Sequence, residues 1–315
     1  MISERIVQPD ADGLNRAVAL LRAGSVVAFP TETVYGLGAD AFSEVAVAEI
    51  YRLKRRPAWN PLIVHVATVA AARELAQDWP GVADGLAARF WPGPLTLVVR
   101  RAGHLTGVGA ANATIAIRIP AHEVALRLLA ASGLALAAPS ANRSESLSPT
   151  TAEHVLRSLP EVPLVLDGGP ASWGIESTVL DVTGEVPRLL RPGALGLRQI
   201  RDVAGAIELP AGVADGLSRP SPGMSRRHYA PRATLILTDD VPHDSKDGIL
   251  AYEGHEVPGP NVEILSADPR EYAADLYAAL HRLDDAGVDR IIVRNPPASE
   301  EWLAVRDRLA RAAAR

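Results

Sequence analysis

The chain of 315 residues contains no cysteine. Disulfides, thiolate nucleophiles and cysteine-ligated zinc or iron–sulfur centres are excluded together. No apolar run approaches the eighteen or so residues that a membrane-crossing helix needs. The start, Met1-Ile-Ser-Glu-Arg5, holds no apolar signal core, so a cytosolic protein with no membrane partner is expected. Several familiar motifs are missing as well. Neither lysine is preceded by glycine or followed by serine or threonine, which excludes a Walker-type phosphate loop. No serine sits in Gly-x-Ser-x-Gly, which argues against a hydrolase elbow. The eight histidines show no His-Glu-x-x-His or other ligand spacing, so no dedicated metal site is expected. Gly36-Leu-Gly38-Ala-Asp-Ala41 fits the loose dinucleotide fingerprint. Pro30 and five further residues intervene after the preceding strand, however, and the tight strand–turn–helix is lost.

Lysine itself is scarce: 2 of the 32 basic side chains, the other 30 being arginine. One of the two, Lys54, opens Lys54-Arg55-Arg56-Pro57-Ala58-Trp59-Asn60-Pro61. A compact, strongly hydrated ammonium is not replaced by a planar guanidinium. Between two stiffening prolines, Lys54, Arg56 and Asn60 form a set suited to phosphate oxygens. Lys54 could equally end a helix, where a cation favours the macrodipole by about 0.3–1 kcal/mol. On this stretch alone the two readings stand level.

The net charge of −5 and pI of about 5.9 do not suit a protein that mainly grips a phosphate backbone, although a local basic pocket is compatible. Hydrophobic content of 48% with 22% charged fits a soluble globular protein, and the length favours two domains.

The apolar periodicity predicts a mixed α/β domain with a central sheet. Helical spacing at Leu14, Ala17, Val18 and Leu21 stops at Gly24. A helix capped by Ser43 runs to about Leu53, and another opens with the capping box Thr150-x-x-Glu153. Strands are expected at residues 26–29, 62–66, 95–100, 114–119, 134–138, 164–167, 178–182 and 188–191. Three of them run into proline and polar residues, as in Phe29-Pro30-Thr31-Glu32-Thr33 and Ala138-Pro139-Ser140-Ala141-Asn142. That arrangement would hold polar groups at one rim of the sheet, or proline simply ends the strands. Residues 1–206 are read as the first domain and 207–231, rich in proline and glycine, as a linker and active-site lid. Residues 232–315 then form a small parallel α/β domain, with strands at 234–237, 248–252, 262–265 and 290–293 and helices at 270–286 and 300–314.

Strand alternation puts His65 opposite Leu62, Val64 and Val66. It also places Thr114, Ala116 and Arg118 on one face, with the small Ala116 leaving room for a ligand. Taken singly, Arg118 is equally a solvated charge and His65 a hydrogen-bonded structural histidine.

Together the segments say more. Pro30-Thr-Glu-Thr-Val-Tyr-Gly-Leu-Gly38, Lys54-x-Arg56-Pro57 with Asn60-Pro-Leu-Ile-Val-His65, Phe90-Trp-Pro-Gly-Pro-Leu-Thr-Leu97 and Pro139-Ser-Ala-Asn142 occur in order. Gly174-Ile-Glu-Ser-Thr-Val179, Leu190-Arg-Pro-Gly193 and Ser221-Pro-Gly-Met-Ser-Arg-Arg-His-Tyr-Ala-Pro231 follow. Over its whole length the chain resembles the YrdC-like family in its long, two-domain threonylcarbamoyl-AMP synthase form; Ser225-Arg226-Arg227 is an approximate match.

The resemblance implies a twisted mixed sheet with a basic concave face, followed by a small Rossmann-like domain. It implies an enzyme that joins L-threonine, bicarbonate and ATP into threonylcarbamoyl-adenylate and pyrophosphate. The product would pass to a tRNA threonylcarbamoyl-transferase that modifies adenosine 37 of ANN-decoding tRNAs. By motif, Lys54, Arg56, Ser140 and Asn142 would surround the phosphates and the reacting carbamate. Thr33, His65, Arg118, Ala138 and Ser177 would hold threonine, with Arg118 pairing its carboxylate. Arg56, Asn60, Thr114, Ser140, Ser148, Arg191 and Tyr229 would contact the nucleotide, and Mg2+ would accompany ATP on phosphates and water. The competing readings are an RNA-binding module using the same concave sheet and a carbamoyl-transfer maturation domain. The acidic balance and the set of side chains suited to a small amino acid argue against the first. The second occurs in larger proteins with extra domains.

Overall fold

The computed structural model describes residues 4–109, 112–209, 228–241, 247–255 and 257–314. Most of the expected linker and lid, and Lys246, lie outside these residues.

Two sheets organise the chain. The first has ten strands, in the spatial order β1 (Ile6–Val7), β8 (Val165–Leu166), β2 (Val27–Phe29), β3 (Gly36–Asp40), β7 (Leu136–Ala137), β4 (Ile63–His65), β6 (Thr114–Arg118), β5 (Leu95–Arg100), β9 (Thr178–Asp181) and β10 (Arg188–Arg191). Parallel and antiparallel pairs alternate irregularly along it. The described residues also form helices α1 (Ala11–Arg22), α2 (Glu44–Lys54), α3 (Val69–Glu74), α4 (Gly81–Phe90), α5 (Glu123–Ser132), α6 (Ala152–Ser158) and α7 (Leu197–Ala204). The second sheet, all parallel, runs β11 (Thr234–Thr238), β14 (Arg290–Arg294), β12 (Gly248–Tyr252), β13 (Val262–Leu265). Helices α8 (Pro269–Asp285) and α9 (Leu303–Ala313) pack on it.

Alternation along the strands decides which face is covered. Ala28, Leu37, Val64, Leu97 and Ile117 pack into one large core with Ile50 and Leu53 of α2 and Leu86 of α4. On the other face Val27, Phe29, Leu136 and Leu166 meet α1 and α5. Towards the middle of that second face only a small cluster remains: Ile63, Val98, Ala116, Val179 and Leu190. His65 and Arg118 sit in register there, beside Ile63 and Ala116. The active-site candidates occupy this stretch.

The strand and helix expectations hold to within a few residues, with two corrections. The α6 cap is Thr151, whose hydroxyl accepts from His154 N, whereas Thr150 contacts the His154 ring. The Gly36-Leu-Gly38 stretch, read only as a failed fingerprint, is strand β3. It has no β-branched residue and is a strand because β2 and β7 flank it, a case of context overriding propensity.

The two sheets share packing. The second core gathers Tyr272, Leu276, Tyr277 and Leu309 together with Val34, Leu147 and Ile175 from the first part of the chain. Gly174, at φ 65°, makes this approach possible. A Cβ there would lie 2.0 Å from the carbonyl oxygen of Ala274 in α8.

Candidate active site

One cavity opens over the uncovered sheet face. Thr31 and Thr33 after β2, Ile63 and His65 of β4, Arg118 of β6, and Ala138 to Ser140 after β7 form its floor and near rim. Arg56, Glu176, Ser177, Arg191, His228 and Tyr229 close it from the other side. The proline-stiffened strand ends therefore do present polar side chains at one rim.

Arg118 is held on three sides. Its Nη1 donates to Thr33 Oγ1 at 2.9 Å, its Nε donates to Gly93 O at 3.1 Å, and its Nη2 lies 2.7 Å from Glu32 Oε1. Both charged groups are buried. The guanidinium that the resemblance assigns to a substrate carboxylate is thus already paired, and a ligand carboxylate has to share it with Glu32. Next to it His65 is fully enclosed, with Phe29 edge-on at 6.3 Å and Nδ1 without a partner. Burial, and then the Arg118 charge, push its pKa down to about 3, so the imidazole is neutral at physiological pH.

The Lys54 segment is built in depth. Arg55 takes the left-handed conformation that ends α2 at φ 51°, and this turns the following residues inward. Arg56 lines the cavity. Its Nε donates to Asn60 O at 3.0 Å, and its Nη2 donates to Asn60 Oδ1 at 2.6 Å and Pro61 O at 2.7 Å. Desolvation lowers it to about 10, which leaves it charged at neutral pH. Lys54 lies behind: Nζ donates to Ser140 O at 2.6 Å and to Asn142 O. Burial, then the neighbouring Arg56, hold its pKa well below the usual lysine range. Asn142 Nδ2 donates to Arg143 O at 2.9 Å and Ser146 O at 2.7 Å, tying the same loop.

On the far wall, Arg191 donates to Ser177 O from Nε at 3.2 Å and from Nη2 at 2.8 Å, and Nη2 reaches Ser177 Oγ at 3.1 Å. Ser177 Oγ also meets Thr96 Oγ1 at 2.8 Å. Gly193 lets this turn sit flush, since a Cβ there would lie 2.4 Å from Glu176 O. Ser148 Oγ donates to Glu176 Oε1 at 2.5 Å. Three lining side chains keep a buried polar atom without a partner: His65 Nδ1, His228 Nδ1 and Tyr229 Oη. Buried polar atoms normally find partners, and these three belong to side chains that line the same cavity.

Of the residues proposed from sequence, Thr33, Arg56, His65, Arg118, Ala138, Ser140, Ser177, Arg191 and Tyr229 line one cavity. Lys54, Asn60, Asn142 and Ser148 stand one bond behind it, each holding a lining group or its loop. Thr114 is not brought there. It begins β6, four residues and roughly 13 Å along the strand from Arg118. The sequence reading missed Glu32 and Glu176, and His228 entered it only as part of the His228-Tyr229 end of the linker. The signal was available, since all three stand inside the quoted motifs.

The buried His65 makes stability pH-dependent. The unfolded chain takes up a proton there near pH 6.5, the folded chain only near 3. Its contribution is full above pH 6.5 and is lost as pH falls towards 3, at about 1.4 kcal/mol per unit. His154, also lowered to about 3 by burial, acts with the same sign. Urea titrations between pH 7 and 4 are expected to give a shallower loss of stability for His65→Gln than for the wild type. An unchanged slope would show that His65 is protonated in the folded state.

A mixed-sheet face lined by fixed guanidiniums, hydroxyls and a neutral imidazole defines an α/β protein with an enzyme-type site rich in fixed positive charge. Residues 19–193 match the Sua5/YciO/YrdC family, described as telomere recombination, and residues 196–314 match the threonylcarbamoyl-AMP synthase C-terminal domain. The chain belongs to this family. It is 43% identical to the threonylcarbamoyl-AMP synthase of Bacillus subtilis, over 95% of this chain and 92% of that one. It is 41% identical to the Pyrococcus abyssi enzyme of the same name, over 94% and 92%. It also resembles the crystal structure of P. abyssi Sua5 complexed with L-threonine, with a TM-score of 0.88 at 39% identity, covering 95% of this chain and 94% of that one.

Proposed function

We propose that this protein condenses L-threonine, bicarbonate and ATP into L-threonylcarbamoyl-adenylate and pyrophosphate. In this reading the adenylate goes on to a tRNA threonylcarbamoyl-transferase. Residues 1–206 are the catalytic domain, 207–231 the linker and 232–315 the second domain. The observation that carries it is the juxtaposition of two unlike halves in one cavity: Arg118, Thr33 and neutral His65 on the sheet, and Arg56, Ser140 and Arg191 around it. The first half suits a small zwitterion and the second suits phosphate oxygens.

The chemistry asks for little else. The threonine amine captures bicarbonate as a carbamate, with loss of water. A carbamate oxygen then attacks the α-phosphorus as pyrophosphate leaves. Both partners are anions, so fixed positive charge and alignment supply most of the rate. Arg118 orients threonine through its carboxylate. Arg56 and Arg191 offset charge on the phosphates, and Lys54 fixes the Ser140–Asn142 loop they face. With a pKa near 3, His65 is too weak a base to take the amine proton at neutral pH. It therefore serves as a hydrogen-bonding wall through Nδ1. Among the described residues no cluster of three or more His, Asp or Glu side chains could hold a metal, and the cavity's one lining carboxylate, Glu176, is paired to Arg308. In this reading the ATP phosphates and water would hold Mg2+, which would supply charge neutralisation there.

Purified protein is expected to release pyrophosphate from ATP only when threonine and bicarbonate are both present, without RNA. Full-rate release with either small substrate omitted, or strict dependence on RNA, would overturn the reading.

A further inference from the structure

We propose that Arg308, on α9 of the second domain, is a positioning residue for the nucleotide side of the active site. It holds Glu176 and Tyr229 in place, so that the site is incomplete without the second domain. The proposal rests on the synthase reading for the ligand it names.

Arg308 is 1% exposed and, among the described residues, the largest side chain so deeply buried. It is 132 residues from Glu176, yet its Nε donates to Glu176 Oε2 at 2.8 Å. Its guanidinium carbon stands 4.9 Å from the centre of the Tyr229 ring. Nη1 is anchored by Asp307 at 2.7 Å. Tyr277 of α8 adds a second contact from the same domain, its hydroxyl donating to Glu176 Oε2 at 3.1 Å.

Both partners of Arg308 lie on the cavity wall. Tyr229 is held at φ 61°, a left-handed conformation that an aromatic residue keeps only when its surroundings over-determine it. Arg308 and Tyr277 are part of those surroundings, the Tyr277 ring lying 5.8 Å away, with the His228 ring at 4.0 Å and the flanking backbone tied by His228 N to Arg311 O at 3.3 Å and Ala230 N to Glu145 O at 2.8 Å. Glu176 in turn fixes the Ser148 hydroxyl at 2.5 Å. Ser148 and Tyr229 are the two residues assigned to the nucleotide that depend on this pair. The threonine half, around Arg118, has its own support in Glu32 and Gly93.

Charge decides what Arg308 contributes beyond packing. An ionised, buried carboxylate facing a triphosphate would repel it unless neutralised. The groups that face Glu176 are Arg308 from α9, Arg191 from β10, Lys54 from α2, Tyr277 from α8 and Tyr229, with Asp307 beside Arg308. Burial raises its pKa. Arg308 foremost, then Arg191 and the Ser148 hydrogen bond, bring it below the usual carboxylate range. Arg191 is engaged with Ser177, and Lys54 with backbone carbonyls. Removing Arg308 therefore leaves a carboxylate whose charge varies with pH beside the bound nucleotide.

The test is calorimetric titration of ATP into the full-length wild type and the variants Arg308→Met, Arg308→Lys, Glu176→Gln and Arg308→Met/Glu176→Gln, between pH 6 and 9. Arg308→Met is expected to weaken ATP at least tenfold at pH 8 and less at pH 6, while the wild type stays flat. Threonine binding should change less than twofold. Adding Glu176→Gln should remove the pH dependence and recover most of the affinity. Arg308→Lys, which keeps the charge, should bind with a flat profile and a few-fold loss. If Arg308→Met fails to fold, the few-fold loss of ATP affinity expected in Arg308→Lys, against an unchanged affinity, carries the distinction. A lowered melting temperature with unchanged, pH-independent ATP affinity would overturn the proposal and reduce Arg308 to interface packing. Pyrophosphate assays on the wild type run separately. A wild type that binds ATP but forms no threonine-dependent product overturns the synthase reading, while the titrations still decide the role of Arg308.

Discussion

Arg118→Ala is expected to lower kcat/KM for threonine by between about thirtyfold and a few thousandfold, equivalent to about 2–5 kcal/mol for a desolvated guanidinium–carboxylate pair. The ATP requirement should change much less. The same change should destabilise the fold by roughly 3–5 kcal/mol, because Glu32 is left as an uncompensated buried charge. The two effects separate in the double variant Arg118→Met/Glu32→Gln. That variant removes both charges, so its melting temperature should return towards the wild type while threonine use stays impaired. Initial rates at varied threonine and thermal melts of the three proteins make the comparison. If the apparent threonine affinity of Arg118→Ala were unaffected while ATP binding collapsed, the assignment of that strand face would be wrong.

Lys54→Arg should cut turnover by about a hundredfold or more although the charge is kept. Nζ reaches two carbonyls inside a fully enclosed space, at 2.6 Å from Ser140 O. A guanidinium is wider, and its fork does not fit two convergent acceptors. Seating it would displace the Ser140 loop, and a shift of about 1 Å at reacting groups costs on the order of a hundredfold. Lys54→Met should behave as badly for a different reason, since two buried carbonyls lose their donor at about 1–3 kcal/mol each. Steady-state kcat of both variants, with melting curves to separate rate from stability, checks the point. Wild-type turnover in Lys54→Arg would return the residue to the role of a helix-end charge.

The scarcity of lysine pointed to a segment whose two cations lie at different depths, Arg56 on the cavity and Lys54 behind it. Lys54 and Arg56 differ in depth as well as in type, and depth is set by the left-handed turn at Arg55, which no periodicity reveals. Strand alternation correctly separated His65 from Val64 and Val66, and Arg118 from the isoleucines, because a two-residue period fixes faces within a strand; that the two share one face follows from the β4–β6 register. The same rule put Thr114 on that face too. It did not say that a strand rising about 3.3 Å per residue carries Thr114 out of the cavity. Strand β3 was invisible because its glycines owe their conformation to flanking strands. The Arg308–Glu176 contact was out of reach for a related reason: nothing local links α9 to a turn 132 residues away.

That long separation has a consequence for how the protein is made. Chains leave the ribosome at roughly 5–20 residues per second, amino terminus first. Glu176 therefore emerges about 7–26 seconds before Arg308, which follows it by 132 residues. Once β9 and β10 have followed Glu176, the first sheet has its strands but not the counter-ion behind its far wall, and Ile175 lacks the tyrosine-rich cluster it later joins. The wall around Glu176 lacks this ion pair until α9 is translated. Completion of the pocket therefore trails the first sheet, and nascent chains stalled before α9 should hold a formed sheet with an unfinished site.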